Sequence, residues 1–299
     1  MSYCLKKDEP LAPGLRRIAR EQLAKALGEM NGFSPEDEGA AVLATRKQIK
    51  RTRALLRLVR RQLGPAIFKG ENQRLRDVAR NFSGSRDADV QLQVLEKLRD
   101  GAGLEPDSFP KTAGVLESEK RKVAESFGRE KNPAAASLQQ VCDRLEGWPL
   151  ENLASDDFAC ALKRTYRRGR NYLRAVESEP SAENFHTWRK RVKDLCYQAQ
   201  ILQQLNPTIL CEIAGGAKIL ARHLGDLHDF AFFRERLETG ANFPENERSL
   251  LLGLICSREQ ELERVTLDQG ARLYAEKPGD FGRRLLLAAR QRAARRGPT

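Results

Sequence analysis

Aromatic residues make up only 6% of the 299-residue chain. Reading bases requires rings to stack on or side chains that reach base edges, interleaved with the cations. Trp188, Tyr166 and Phe82 instead fall on apolar stripes, so sequence-specific nucleic-acid recognition is disfavoured. The six cysteines, at positions 4, 142, 160, 196, 211 and 256, include no pair at CxxC spacing. That removes zinc ribbons and thioredoxin-like chemistry. Cys196 sits on an apolar helix stripe, where a reduced buried thiol is ordinary, and the chain reads as cytoplasmic. Residues 1–30 lack an apolar run of the kind that forms a signal-peptide core. The runs at 250–256 and 285–289 are too short to span a bilayer, so no membrane partner is expected. No stretch alternates with period two over more than a few residues, which excludes a sheet. Neither GxxxxGK[ST], GxSxG nor HExxH occurs, and no nucleophile has an adjacent base. The expectation is a protein with no catalytic residue, no metal and no cofactor.

What the chain does have is cation. Formal net charge is +12 and the sequence pI is about 9.6. A balance of this kind attracts phosphate-rich partners and says nothing about fold. The charge is also patterned, and the pattern occurs twice. Residues 44–63 read ATRKQIKRTRALLRLVRRQL and residues 186–205 read HTWRKRVKDLCYQAQILQQL. Each is followed by a similar ending, FSGSRDAD at 82–89 and LGDLHDFA at 224–231. Arg46 and Arg189 are 143 residues apart, and Asp87 and Asp229 are 142 apart. A near-constant offset over two motifs indicates internal duplication.

Helix spacing runs almost throughout. Helices are expected at 11–29, 37–63, 71–100 with an interruption at Ser83-Gly84, and 111–129. A short alanine-rich segment to about residue 146 follows. Further helices are expected at 157–176, 182–205, 208–238 with a break near Gly225, 244–276 and 280–295. Gly64-Pro65 ends the second helix, and Ser181 is placed to cap the one that starts at 182. The simplest arrangement is all-α: a first four-helix repeat over 11–130, a linker with a short helix over 131–156, and a second four-helix repeat with a C-terminal helix over 157–296.

Within these helices the cations form rows. Arg46, Lys50, Arg53, Arg57 and Arg60 recur at spacings of four and three, which places them along one face. The stretch 46–61 has no acidic residue to balance them. Such like-charge neighbours repel, so a compensating partner is implied. His186, Arg189, Lys190, Lys193 and Tyr197 form the matching face of the second copy. Lys163, Arg167, Arg170 and Arg174 make a row on the helix before it, with Arg16 and Arg20 as the weaker counterpart in the first unit. Arg76, Arg80 and Arg86 follow in copy one, and Lys218, Arg222 and His228 in copy two. Arginine's planar fork grips phosphate oxygens in pairs, which lysine cannot.

His186 and His228 fall in or beside these rows and read either as phosphate donors or as hydrogen-bonded structural imidazoles. His223 reads as structural. His228-Asp229 also forms an HD dipeptide, as in metal phosphohydrolases. Copy one, however, has Arg86-Asp87 at that place, and arginine does not ligate metal. Asp87, Asp89, Asp226 and Asp229 read as helix caps or as anchors for nearby arginines.

The ordered set TRKQIKRTRALLRLVR, SGSRDADV, ALKRTYRRGRNYL, HTWRKRVKDL and LGDLHDF resembles the conserved histidine α-helical domain, or CHAD, family over about residues 11–295. The resemblance implies two four-helix bundles related by a pseudo-twofold axis, with basic surfaces lining a central cavity. It further implies binding of inorganic polyphosphate and association with polyphosphate granules. No β-rich triphosphate-tunnel region accompanies the motifs, so the chain looks like a stand-alone member. By position, the family's second-half histidine corresponds to His186, and Arg189, Lys190 and Lys193 follow it. The first-half histidine falls on Leu43, a departure that leaves copy one to Arg46, Lys50 and Arg53. Ser83 likewise stands where copy two has Gly225. Nucleic acid, held by its backbone, is the competing polyanion.

Overall fold

The computed structural model describes the backbone of residues 3–31, 38–81, 84–124 and 131–296, and the side chains of 3–30, 39–80, 90–121 and 133–288. Phe82 and Ser83 lie outside the described residues, as do the side chains of Arg86, Asp87 and Asp89. Among the described residues the chain forms eleven α-helices and no strand. They are α1 (Leu11–Asn31), α2 (Glu38–Leu58), α3 (Arg60–Asn81), α4 (Gly84–Ala102), α5 (Pro110–Ala124) and α6 (Lys131–Asp143). After a 3-10 turn at Leu145–Gly147 come α7 (Ser155–Ser178), α8 (Ala182–Leu202), α9 (Pro207–Thr239), α10 (Glu245–Leu273) and α11 (Pro278–Arg296).

Local chemistry explains several of these features. The expected end of the second helix at Gly64-Pro65 appears as a kink inside α3, where Gly64 takes φ 71, a left-handed conformation costly to other residues, and Pro65 restarts the helix. The Ser181 hydroxyl accepts the Asn184 N–H at 3.2 Å and opens α8, as the sequence indicates. Asn206 does the same for α9, accepting the Ile209 N–H at 3.1 Å one residue before Pro207. One expectation fails: α9 runs unbroken through Gly225. Its neighbours Leu220, Ala221, Leu224 and Leu227 are all buried, and packing of that face overrides the low helix propensity of glycine.

The core falls into two apolar clusters. One apolar cluster draws on α1, α2, α3, α6, α7, α8 and the first part of α9, with Tyr274 and Phe281 closing its end. Residues 131–156 contribute to it through the buried Leu138, Val141, Leu145, Trp148 and Leu150. A second cluster joins α4 and α5 to the later part of α9 and the start of α10, through Val94, Leu98, Leu116, Phe233, Leu237 and Ile255. Glu247 of α10 reaches across to accept the Lys111 and Thr112 N–H groups at 3.3 and 2.8 Å, satisfying the N-terminus of α5.

At the middle, α2 packs on α1, α8 packs on α7, and α2 and α8 pack on each other. Gln198 Nε2 donates to the Ala54 carbonyl at 3.2 Å, and Arg57 meets Asp194 at 3.0 Å. Rising numbers on α2 thus face falling numbers on α8, so the pair is antiparallel. A strap ahead of α1 ties it. Leu5 N–H donates to the Ile201 carbonyl at 2.9 Å, and the Tyr3 hydroxyl donates to the Arg51 carbonyl at 2.9 Å.

Two glycines of α10 separate packing from propensity. A Cβ at Gly270 would lie 2.5 Å from the buried Trp188 ring, whereas one at Gly253 would meet nothing within 4 Å. Gly270→Ala is expected to lower unfolding free energy by about 1–3 kcal/mol through overpacking. Gly253→Ala is expected to raise it by about 0.5–1 kcal/mol. Urea titrations of the two variants check both signs.

Candidate functional site

The cations of the α2–α8 pair separate onto two faces. On one side lies a groove of about 450 Å³ between α2, α8 and α9. Lys47 and Arg51 line it from α2, Arg189 and Lys193 from α8, and Lys218 and Arg222 from α9. Cys196, Tyr197, Gln200 and Gly225 complete the wall, together with two carboxylates, Asp226 and Asp229. Lys97 of α4 pairs with Asp226, which offsets part of the groove's negative charge. Arg51 is fixed from several directions. Its Nη1 donates to Gln22 and Gln48 at 3.3 and 3.4 Å, and its Cζ stands 4.6 Å over the Tyr3 ring. Burial pushes the Cys196 thiol up to about 11, which leaves it an inert part of the wall.

The other face gathers Arg53, Arg57, Arg168 and Arg191 around the buried Asp194, with Arg60, Arg76 and Lys190 next to members of that set. Asp194 Oδ1 accepts from Arg57 at 3.0 Å and Oδ2 from Arg191 at 3.4 Å. Burial pushes the Asp194 carboxyl up, against the pull of Arg57, Arg191, Arg53 and Arg168. Burial, followed by the Arg57, Arg76 and Arg191 charges, brings the Arg53 guanidinium down to about 10. Burial and the Arg191 charge lower Arg168 and Lys190 in the same way. These cations are crowded and partly desolvated, and a multiply charged anion would relieve them.

The sequence rows therefore divide differently in space. Arg189, Lys193, Lys218 and Arg222 meet in the groove, while Arg53 and Arg57 meet Asp194 and Lys190 stands nearer Arg191 and Arg53. Lys190 was expected to share a face with Arg189 and Lys193, but its charged neighbours are Arg191, Glu183, Arg76 and Arg53. One residue of helical advance, about 100°, carries it round. Lys50 is half-buried on α2 and Arg80 exposed at the end of α3. Arg167 is exposed on the outer side of α7, and the Lys163 stem lies across Gly282 of α11.

Several arginines of the rows bind backbone or loop instead. Arg46 donates to the Ala79 carbonyl at 2.7 Å, and Arg170 donates to the Tyr274 carbonyl at 3.0 Å. Arg16 reaches the Trp148 carbonyl and Glu151, and Arg20 pairs with Glu146. His186 and His228 come together with ring centroids 4.2 Å apart. His223 Nδ1 meets Gln269 Oε1 at 3.0 Å, in keeping with a structural place. Among the described residues no group of three or more His, Cys, Asp or Glu side chains is placed to hold a metal ion. No helix described is long and apolar enough to cross a membrane.

Sequence rows passed over Lys47, Arg51, Arg168 and Arg191. Lys47 and Arg51 were visible as an i,i+4 pair within the acid-free stretch, on a second face of the same helix. Arg191 and Asp194 were visible as an i,i+3 pair of opposite charge.

The geometry defines an all-helical protein whose central helix pair carries cations on two faces. The chain belongs to the CHAD domain family, whose description matches residues 17–238. That span runs from within α1 to the last turn of α9 and leaves α10 and α11 outside it. A search of curated proteins gives no match.

Asp194 supplies a test of the crowded face. Asp194→Asn raises the net charge of the cluster by one, so added multivalent anion should stabilise the variant more than the native protein. With pyrophosphate in place of chloride at equal ionic strength, the extra rise in melting temperature is expected to be roughly 2–4 °C, equivalent to ~1 kcal/mol. Equal shifts in both proteins would show that the cluster does not respond to anions.

Proposed function

We propose that this protein binds inorganic polyphosphate along the two cationic faces of the α2–α8 pair and holds it without cleaving it. The observation that carries the reading is the groove in which Lys47, Arg51, Arg189, Lys193, Lys218 and Arg222 converge from three helices. Polyphosphate presents about one charge per phosphate along a flexible chain, so many modest contacts add up, as they do for nucleic-acid backbones. Arginine forks suit its paired oxygens. Membership of the CHAD family supports the same ligand.

The reading includes the architecture it needs. The two helix sets are taken as duplicated four-helix bundles related by a pseudo-twofold axis near the antiparallel α2–α8 contact, so that each face of the pair receives one cluster. We take the polyphosphate-holding role to be a cytoplasmic one, associated with polyphosphate granules. Holding the chain requires no reaction centre, and the reading assigns none.

A competition titration tests it. Protein bound to labelled long-chain polyphosphate at about 0.15 M salt is challenged with RNA, duplex DNA or unlabelled polyphosphate at equal phosphate concentration. Only polyphosphate is expected to displace the label, with log K falling linearly as log salt rises. Arg189→Ala with Lys193→Ala should weaken binding by about tenfold or more, since each lost charge-assisted bond is worth ~1.5–3 kcal/mol before screening. RNA competing equally well would reduce the groove to a general polyanion surface. Steady phosphate release from polyphosphate would overturn the absence of turnover.

A further inference from the structure

Gly225 is an unusual residue for its place. It lies in the interior of α9, which stays helical through it, and its φ is not in the left-handed region. The backbone therefore does not require glycine, and in a helix interior glycine is a destabilising choice. The three nearest atoms to a Cβ built there all belong to Arg189: Nη2 at 3.1 Å, Nε at 3.3 Å and Cζ at 3.6 Å. The guanidinium turns its Nε–Nη2 edge toward α9 and occupies the space that a side chain at 225 would take. Both residues line the groove.

We infer that Gly225 is a positioning residue of the anion site, left without a side chain so that the Arg189 fork can seat against α9 in one orientation. The inference rests on the polyphosphate reading and deepens it. A fork already seated loses less side-chain freedom when the ligand arrives. With alanine at 225, the methyl group 3.1 Å from Nη2 asks the guanidinium to shift by a few tenths of an ångström.

The test is a double-mutant cycle read by polyphosphate affinity, with thermal melting as the folding control. Gly225→Ala is expected to melt at or above the native temperature yet bind polyphosphate about two- to tenfold more weakly, the cost of ordering one long side chain. In an Arg189→Ala background, Gly225→Ala should weaken binding no further. Equal weakening in both backgrounds, or none in either, overturns the role. Arg189→Lys keeps the charge but loses the fork, and it should bind nearly as weakly as Arg189→Ala. Native affinity in Arg189→Lys overturns the role even if Gly225→Ala does not fold. A native protein that retains no polyphosphate overturns the reading beneath it and this role together. Indifference of a binding-competent protein to Gly225→Ala overturns the role alone.

Discussion

The structure depends on keeping two helices of like charge in contact. Left to Coulomb's law, α2 and α8 would separate, since unit charges a few ångströms apart near a protein surface repel by about 4 kcal/mol at an effective dielectric of 20. What opposes this is apolar burial between them and their neighbours. Ile49, Leu55 and Leu56 on α2 and Val192, Leu195 and Ala199 on α8 are shut off from water. A large aliphatic side chain buried in this way contributes roughly 1.5–3 kcal/mol. Asp194 adds a shared counter-charge, and Gln198 a hydrogen bond to the opposite backbone. The repulsion then remains as a standing asymmetry, facing outward on both sides of the pair.

Helix α9 connects this charged centre to the rest of the molecule. Its 33 residues form a rod about 50 Å long. The first part presents Lys218 and Arg222 to the groove, and the later part is buried with α4, α5 and α10. Lys97–Asp226 and Arg236–Glu119 fasten α4 and α5 to the same rod. The groove wall and the second apolar cluster thus share one stiff element, and the floor of the site is not a loop free to adapt.

The helices were legible in the sequence because their signals are local, as with the hydroxyl of Ser181 ahead of α8. The all-α class followed from periodicity alone. The supposed break at Gly225 misled because glycine weakens a helix only where packing does not hold it, and burial on both sides of residue 225 is invisible in the chain. The site was partly legible. A row of cations on a helix face can be counted, but its destination depends on what the fold sets opposite. Arg46 and Arg170 were spent on carbonyl groups, and Arg16 and Arg20 on the loop around Trp148. Lys190 turned away from Arg189 by one helical step. Lys47 and Arg51 needed the arrival of α9 and the Tyr3 strap to become part of a groove.

That strap has a practical side. Tyr3 supports Arg51 from beneath, touches the Tyr197 ring edge-on with centroids 6.1 Å apart, and anchors to the Arg51 backbone. Trimming the chain back past Tyr3 would therefore release Arg51 from its stacked ring while leaving every residue that lines the groove in place.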